Sequence, residues 1–240
     1  MTSKTTDALL FFRAWLSAPL QVASVTPSGR ALSSLMTAGI SADSGPVIEL
    51  GPGTGVFTEA LLDRGVPESD LILVEYGADF ARQLAMRFPA ARTLQMDASQ
   101  LRKIELQTSA PIGAVLSGLP LLSMPTRKVI AILEGAFLHL RHDGAFYQFT
   151  YGPRCPIPRP LLDRLGLKAT FVGGTLANVP PAAVYRVSRR RPRAPLGRTY
   201  DVPLSLSPHT FLSSDLDRSA ASAETRNVAS FASHSIAKES

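Results

Sequence analysis

The sequence predicts an α/β fold, a mostly parallel sheet with helices on both faces, and three observations carry that prediction. The apolar run Val47–Leu50 turns through Gly51, Gly53 and Gly55 into a helical pattern, as a first strand, phosphate-type loop and first helix would. Short apolar stretches then alternate with helix-period stretches as far as residue 150. Two of those stretches, near 71–75 and 92–96, run out into carboxylates, Glu75 and Asp97. With 240 residues, 45% of them hydrophobic, the chain can bury a full core in one catalytic domain.

The first expected element is a helix from Ala8 to Ser17, capped by Thr6 or Asp7 and stopped before Pro19. Leu9, Phe12, Trp15 and Leu16 are apolar, and the polar face is narrow, mainly Arg13 and Ser17. Arg13 leaves the apolar stretch too short to span a bilayer and interrupts any signal-peptide core. Such a helix either packs on its own domain or lies in a lipid interface, with Trp15 at headgroup depth and Arg13 turned outward. A second helix, Ala31 to about Met36, follows Thr26–Arg30 with Ser28 as its cap. Ser28 and Arg30 at that N-terminus can accept a phosphate, although an ordinary cap beside a solvated arginine is the better explanation of them.

Strands are expected near 47–50, 71–75, 92–96, 112–117 and 145–150, with a later pair at about 167–175 and 182–188. Helices are expected at about 55–64, 78–88 and 125–140, the last opened by Pro125 and ending near Gly144. His139 and His142 suit a helix end and turn better than catalysis. From Arg189 onward the composition reads as a disordered tail. The expected organisation is therefore residues 1–38 as membrane-associating or lid helices, 39–191 as the catalytic domain and 192–240 as the tail.

The net charge of +6 is unevenly spread. Lys4, Arg13 and Arg30 outweigh Asp7 at one end, Arg186, Arg189, Arg190 and Arg191 stand unopposed near the other, and residues 31–185 are balanced. That pattern suits a surface tether to anionic lipid or nucleic acid. The single Cys155 excludes an internal disulfide framework and suits a reducing, cytoplasmic compartment. Together with the short first helix, it points to a cytoplasmic protein peripheral to the inner membrane.

The glycine loop specifies the cofactor. A dinucleotide fingerprint needs G-x-G-x-x-G, whereas this loop is G-x-G-x-G with Glu49 two residues before it. An anionic side chain there holds the methionine ammonium of S-adenosylmethionine (SAM), and would repel a pyrophosphate. Glu75 can accept hydrogen bonds from both ribose hydroxyls, and Asp97, followed by Ala98, from the adenine amino group. Glu49, Gly51, Gly53, Thr54, Gly55, Glu75, Asp97, Ala98 and Ser117 form the expected cofactor-binding set, with no metal. Five helix-linked strands and a late pair then give the seven-stranded, Rossmann-like class I SAM-methyltransferase arrangement.

Enzymes that methylate exocyclic base amines carry, after the fourth strand, a polar residue and an aromatic that stacks on the flipped base. Here the stretch is Ser117-Gly118-Leu119-Pro120-Leu121; in the N-L-P-Y register of rRNA adenine dimethyltransferases, Gly118 replaces the Asn and Leu121 the aromatic. The stacking platform is missing.

The motifs F-x-R-A-W-L-x-A-P-L (Phe11 to Leu20), T-P-S-G-R, E-L-G-P-G-T-G-V-F-T, S-G-L-P-L-L-S, Q-F-T-Y-G-P (Gln148 to Pro153) and N-V-P-P-A-A-V-Y (Asn178 to Tyr185) together resemble bacterial PmtA-type phospholipid N-methyltransferases over roughly residues 8–190. The resemblance implies stepwise methylation of phosphatidylethanolamine toward phosphatidylcholine at the membrane, with a first helix that binds anionic lipid. The tail departs from it, and Cys155 stands where a serine is expected.

An amine acceptor also follows from physical chemistry. Neutralising an alkyl ammonium at pH 7 costs about 4 to 5 kcal/mol, which the cofactor's sulfonium and exclusion of water offset. The enzyme must then mainly orient the nitrogen. Gln148, Thr150, Tyr151 and Asn178 are the candidates, Tyr151 first, because its hydroxyl can accept the proton while its ring faces the growing methylammonium. Each also has a plain structural role, as a strand exit or a turn. Two other readings stay open at this point: RNA methylation, and a non-catalytic membrane-binding protein that keeps the fold.

Overall fold

The structure is a computed structural model that describes residues 27–177 and 181–190, with side chains from Gly29 onward. Arg13, Trp15, Asn178, Arg191 and the tail lie outside the described residues, as does the side chain of Ser28.

Seven strands form one sheet: β1 (Val47–Leu50), β2 (Leu71–Glu75), β3 (Arg92–Gln95), β4 (Ile112–Ser117), β5 (Leu140–Tyr151), β6 (Leu167–Thr175) and β7 (Ala182–Arg189). Their order is β3-β2-β1-β4-β5-β7-β6, with β7 antiparallel to both neighbours and the remaining pairs parallel. The central strands β1, β2 and β4 are buried along their whole length, which is why they read as continuous apolar runs. Edge strand β3 is short and partly exposed.

Five helices are described: α1 (Pro27–Met36), α2 (Val56–Asp63), α3 (Ala78–Arg87), α4 (Thr126–His139) and α5 (Arg159–Arg164). Side-chain alternation along the strands builds two cores. Val47, Leu71, Leu73, Leu116 and Tyr147 meet Leu32, Met36, Phe57, Leu61 and Leu84 of α1–α3 on one face. Ile48, Leu50, Ile72, Val115 and Phe146 meet Leu101, Ile132, Leu133 and Leu161 on the other. In α4 the buried set Val129, Ile132, Leu133 and Ala136 is the core stripe of an amphipathic helix.

Three boundaries differ from the sequence expectation. Helix α1 begins at Pro27, so Ser28 lies inside it and does not cap it. Pro125 is extended (φ −58°, ψ 138°) and precedes the first turn of α4. Helix α4 stops at His139 and β5 starts at once with Leu140, so His142 and Gly144 lie in a strand. Gly144 is therefore no helix stop but a close-approach glycine: a Cβ on it would lie 3.0 Å from the Gly113 carbonyl oxygen, where β5 passes the irregularity in β4.

Candidate active site

The carboxyl ends of β1, β2 and β4 lie side by side, Leu50 in register with Val74 and Ser117, and this edge gathers most of the expected cofactor residues. Gly51 (φ 68°) and Gly53 (φ 56°) take left-handed conformations that let the chain leave β1 sharply. A Cβ on Gly51 would strike Leu119 Cδ2 at 2.7 Å, so the loop must be bare to lie against the segment after β4.

Glu49 and Glu75 project to the α1–α3 face. Glu49 is buried; its Oε2 accepts from Thr58 Oγ1 at 2.6 Å, and its Oε1 has no hydrogen-bond partner among the described residues. Burial pushes its carboxyl up to about 7, partly opposed by the Thr58 hydrogen bond and reinforced by the nearby Glu75 charge. Glu75 accepts from Gly77 N (2.8 Å) and Gly53 N (3.2 Å), which ties the end of β2 to the glycine loop and leaves lone pairs for further donors. Asp97 caps the 3-10 turn Ala98–Lys103 by accepting from Ser99 N at 2.9 Å, and pairs with Lys128 Nζ at 2.8 Å. Burial acts to raise its carboxyl, but the Lys128 and Ser99 hydrogen bonds prevail and hold it below the ordinary value. Ala98 is buried beside it, and Ser117 is fully buried at the end of β4.

Sequence reading missed the residues that hold these groups. Thr58 positions Glu49, and Lys128 positions Asp97. Arg87 closes α3 by donating to the Thr54 carbonyl at 2.5 Å and pairing with Glu59 of α2. The next residue, Phe88, sits where a side chain on Gly55 would go, 2.7 Å from its Cβ position. Arg87 and Phe88 thus brace the glycine loop from outside, a relation between distant segments that no local spacing encodes.

The described amine-orienting candidates divide between the two faces of the sheet. Alternation turns Tyr151 to the α1–α3 face with the two glutamates, and Gln148 and Thr150 to the other. Gln148 is buried and its amide donates to Leu119 O (3.0 Å) and Phe149 O (2.8 Å), so it pins the segment after β4; its Oε1 has no hydrogen-bond partner among the described residues. Tyr151 lies edge-on to Phe149, and burial pushes its hydroxyl up to about 12. It is therefore neutral at pH 7, and its hydroxyl oxygen can accept a hydrogen bond from a nitrogen. Thr150 and Tyr151 share a small cleft of about 70 Å³ with Leu119–Ser123 and Pro156. On its other side Tyr151 borders an open cleft of about 890 Å³ with Phe171, Leu176, Pro181 and Tyr185.

The basic residues fare differently. Arg30 is exposed and lines a groove of about 750 Å³ between α1 and α2 with Glu59, Asp63 and Arg64. Arg189 donates to the carbonyls of Arg141 (2.8 Å), Leu140 (3.1 Å), His142 (3.3 Å) and Phe137. Arg190 donates to Leu167 O at 2.8 Å and pairs with Asp163. Both arginines are thus hydrogen-bonded within the fold, although Arg190 stays exposed. Among the described residues no group of three or more His, Cys, Asp or Glu side chains forms a metal site, and no helix is long and apolar enough to cross a membrane.

The chain is 30% identical over 184 residues to an ornithine lipid N-methyltransferase of Singulisphaera acidiphila, covering 75% of this chain and 94% of that protein. Among solved structures it is similar to a TehB-like SAM-dependent methyltransferase from Corynebacterium glutamicum (TM-score 0.53, 13% identity, 77% of this chain and 99% of the other). It is also similar to the N-methyltransferase NodS from Bradyrhizobium japonicum, solved with S-adenosylhomocysteine (SAH) (TM-score 0.51, 12% identity, 75% and 99%). Both likenesses show the fold, the class I SAM-methyltransferase fold that the strand order also describes. No protein-family model matches the chain.

Proposed function

Since the chain belongs to the same methyltransferase family as the Singulisphaera acidiphila ornithine lipid N-methyltransferase, we propose that it methylates the amine of a membrane-lipid headgroup, with phosphatidylethanolamine as the substrate and S-adenosylmethionine as the cofactor. The residues at the sheet edge fit that cofactor. Glu49 Oε1, without a hydrogen-bond partner among the described residues, suits a cationic ammonium, the spare lone pairs of Glu75 suit vicinal hydroxyls, and the bare loop at Gly51 and Gly53 suits close approach. When bound, the cofactor supplies an electrophilic methyl group on a sulfonium.

The rest falls to this chain. Tyr151, neutral and on the same face as the two glutamates, orients the acceptor nitrogen by accepting its hydrogen bond. Gln148 fixes the Leu119 segment that walls the site. The observation that carries the lipid reading is the 890 Å³ cleft beside Tyr151, whose lining includes no charged side chain among the described residues. It suits the glycerol and first methylenes of a lipid and offers nothing to a phosphodiester chain. Nucleic-acid methylation is further disfavoured at Gly118, where a Cβ would lie 2.6 Å from the Gly51 carbonyl oxygen, and at Leu121, which is buried in the core.

We place the reaction at the inner-membrane surface, with the Leu9–Ser17 sequence, including Arg13 and Trp15, and the Ser28–Arg30 corner as contacts with an anionic leaflet. The test is methyl transfer from labelled SAM by the full chain to vesicles containing phosphatidylethanolamine, to vesicles containing ornithine lipid, and to RNA. Label in mono-, di- and trimethylated phosphatidylethanolamine is expected. Label in ornithine lipid alone reassigns the headgroup, and label in RNA or in no acceptor rejects the lipid reading.

A further inference from the structure

We propose that the carboxyl edge of the sheet between Leu122 and Leu176 is itself a membrane-docking surface, one that enters a lipid leaflet by apolar contact and not by charge; this rests on the lipid reading above. Tyr151 is the shared wall of two clefts. Leu122 lines one cleft, and Leu176 and Phe171 line the other, all with most of their surface in solvent. Sheet register fixes the second group beside the first: Tyr151 pairs with Ala182, Ala182 with Thr175, and Leu176 follows. No charged side chain lines either cleft among the described residues.

Charge complementarity selects the occupant. The walls of the two clefts offer a nucleic acid or an acidic partner no cation among the described residues, exposed Arg154 standing between the lining prolines Pro153 and Pro156 and not in either wall, whereas the uncharged glycerol and acyl region of a lipid asks for none. The position makes the same selection. An amine attached to a bilayer lipid reaches Tyr151 only if the leaflet lies against the edge where these clefts open. The arginines at the far end of β7 cannot substitute, since β7 runs antiparallel to β5 and carries Arg189 away from Tyr151 to the amino end of the sheet. A few exposed large apolar side chains at a loop-rich edge are what interfacial insertion requires.

The matched control is Leu138 in the last turn of α4, exposed to the same extent as Leu122, 64% each, but away from Tyr151 in the cleft lined by Arg189 and Arg190. The experiment measures partition of the full chain onto neutral phosphatidylcholine vesicles at high salt. The variants are Leu122→Glu with Leu176→Glu, and Leu138→Glu, with SAH affinity as the check on folding. The parent is expected to bind, the edge variant to bind at least tenfold more weakly, and the Leu138 variant within about twofold of the parent.

A parent that ignores neutral vesicles, an edge variant that binds like the parent, or an equal loss in Leu138→Glu overturns the proposal. So does a change in self-association with unchanged partition, which would make this face a contact between copies. Failure of the functional reading is separately visible. An edge-dependent binder that methylates neither lipid refutes the proposed function and keeps the surface. A lipid methyltransferase whose edge variant still docks refutes the surface alone.

Discussion

The two ends of the sheet carry polar groups in opposite states. At the carboxyl end, Glu49 is buried with one oxygen unpartnered among the described residues and its carboxyl raised to about 7, while Glu75 keeps lone pairs to spare. At the amino end, Arg189 gives its hydrogens to four carbonyls at the junction of α4 and β5, and Arg190 is held by Leu167 and Asp163. An unsatisfied buried group costs free energy and is tolerated where a ligand completes it, whereas a satisfied one stabilises the fold. Charge in a sequence therefore does not locate a binding site; the distinction depends on which hydrogen bonds are already made.

The contrast is tested hardest at the glycine loop. Gly51→Val with Gly53→Val forces side chains into left-handed backbone and, at Gly51, into Leu119. SAH affinity should fall by at least about 100-fold, since misplacing the loop removes several contacts at once. Titration calorimetry measures it, and circular dichroism should show the fold kept. Parental affinity in that variant would remove the carboxyl end as the cofactor site.

Glu49 gives the next effect, and its sign can be worked out. Its folded carboxyl is raised from 4.5 to about 7, so its contribution to stability is full below pH 4.5 and is lost as pH rises through 7. Above pH 7 the buried carboxylate costs the ligand-free protein roughly 3 kcal/mol. Glu49→Gln should accordingly raise ligand-free stability more at pH 8 than at pH 5. Binding an ammonium favours the ionised carboxylate, so SAM affinity of the parent should tighten up to about tenfold per unit below pH 7 and level off above it. A parental affinity flat from pH 6 to 8 would separate Glu49 from the cofactor.

At the opposite end, Arg189→Met should cost about 2 to 3 kcal/mol of stability by leaving carbonyls at the α4–β5 junction without a donor. SAH affinity should stay within about twofold. Denaturant unfolding and calorimetry on the same variant check both halves. A loss of cofactor affinity with unchanged stability would reverse the roles assigned to the two ends.

Much of this was legible in the sequence, and the rest was not for identifiable reasons. Val47–Gly55, Glu75 and Asp97 could be read because strand, turn and carboxylate are adjacent in the chain, and class I folds put successive strand ends side by side. The helix stop expected near Gly144 failed because a glycine needed for close packing against Gly113 looks the same as one needed for a turn. Ser28 suited a cap, but Pro27 already opens the helix. Gln148, Thr150 and Tyr151 are neighbours in the sequence, but alternation puts Tyr151 on one face and the other two on the opposite one. Arg189 looked like part of a free patch because its acceptors, the carbonyls of residues 137 and 140–142, are generic backbone.

The smallest expected effect concerns the bracing of the cofactor loop, and it sharpens what unspent groups at the carboxyl end depend on. Arg87 joins three segments: it ends α3, donates to Thr54 O in the glycine loop, and pairs with Glu59 on α2. The ion pair is more than one-third exposed on both sides, so its own Coulomb energy is modest. Its value lies in fixing the Thr54 carbonyl, and with it the glycine loop whose Gly53 N–H donates to Glu75. Arg87→Met should weaken SAH binding by roughly 3- to 10-fold, or about 1 kcal/mol. Arg87→Lys should recover part of that, because an ammonium can reach one acceptor but not hold both as a planar fork does. Glu59→Gln should lose less alone, and the pair of changes should fall short of the sum, since both act through one guanidinium. Arg82→Met on the same helix, which disrupts only the exposed pair with Asp79, should leave binding unaltered. Additive losses in the Arg87 and Glu59 cycle, or an equal loss from Arg82→Met, would mean that the loop holds its shape without outside support.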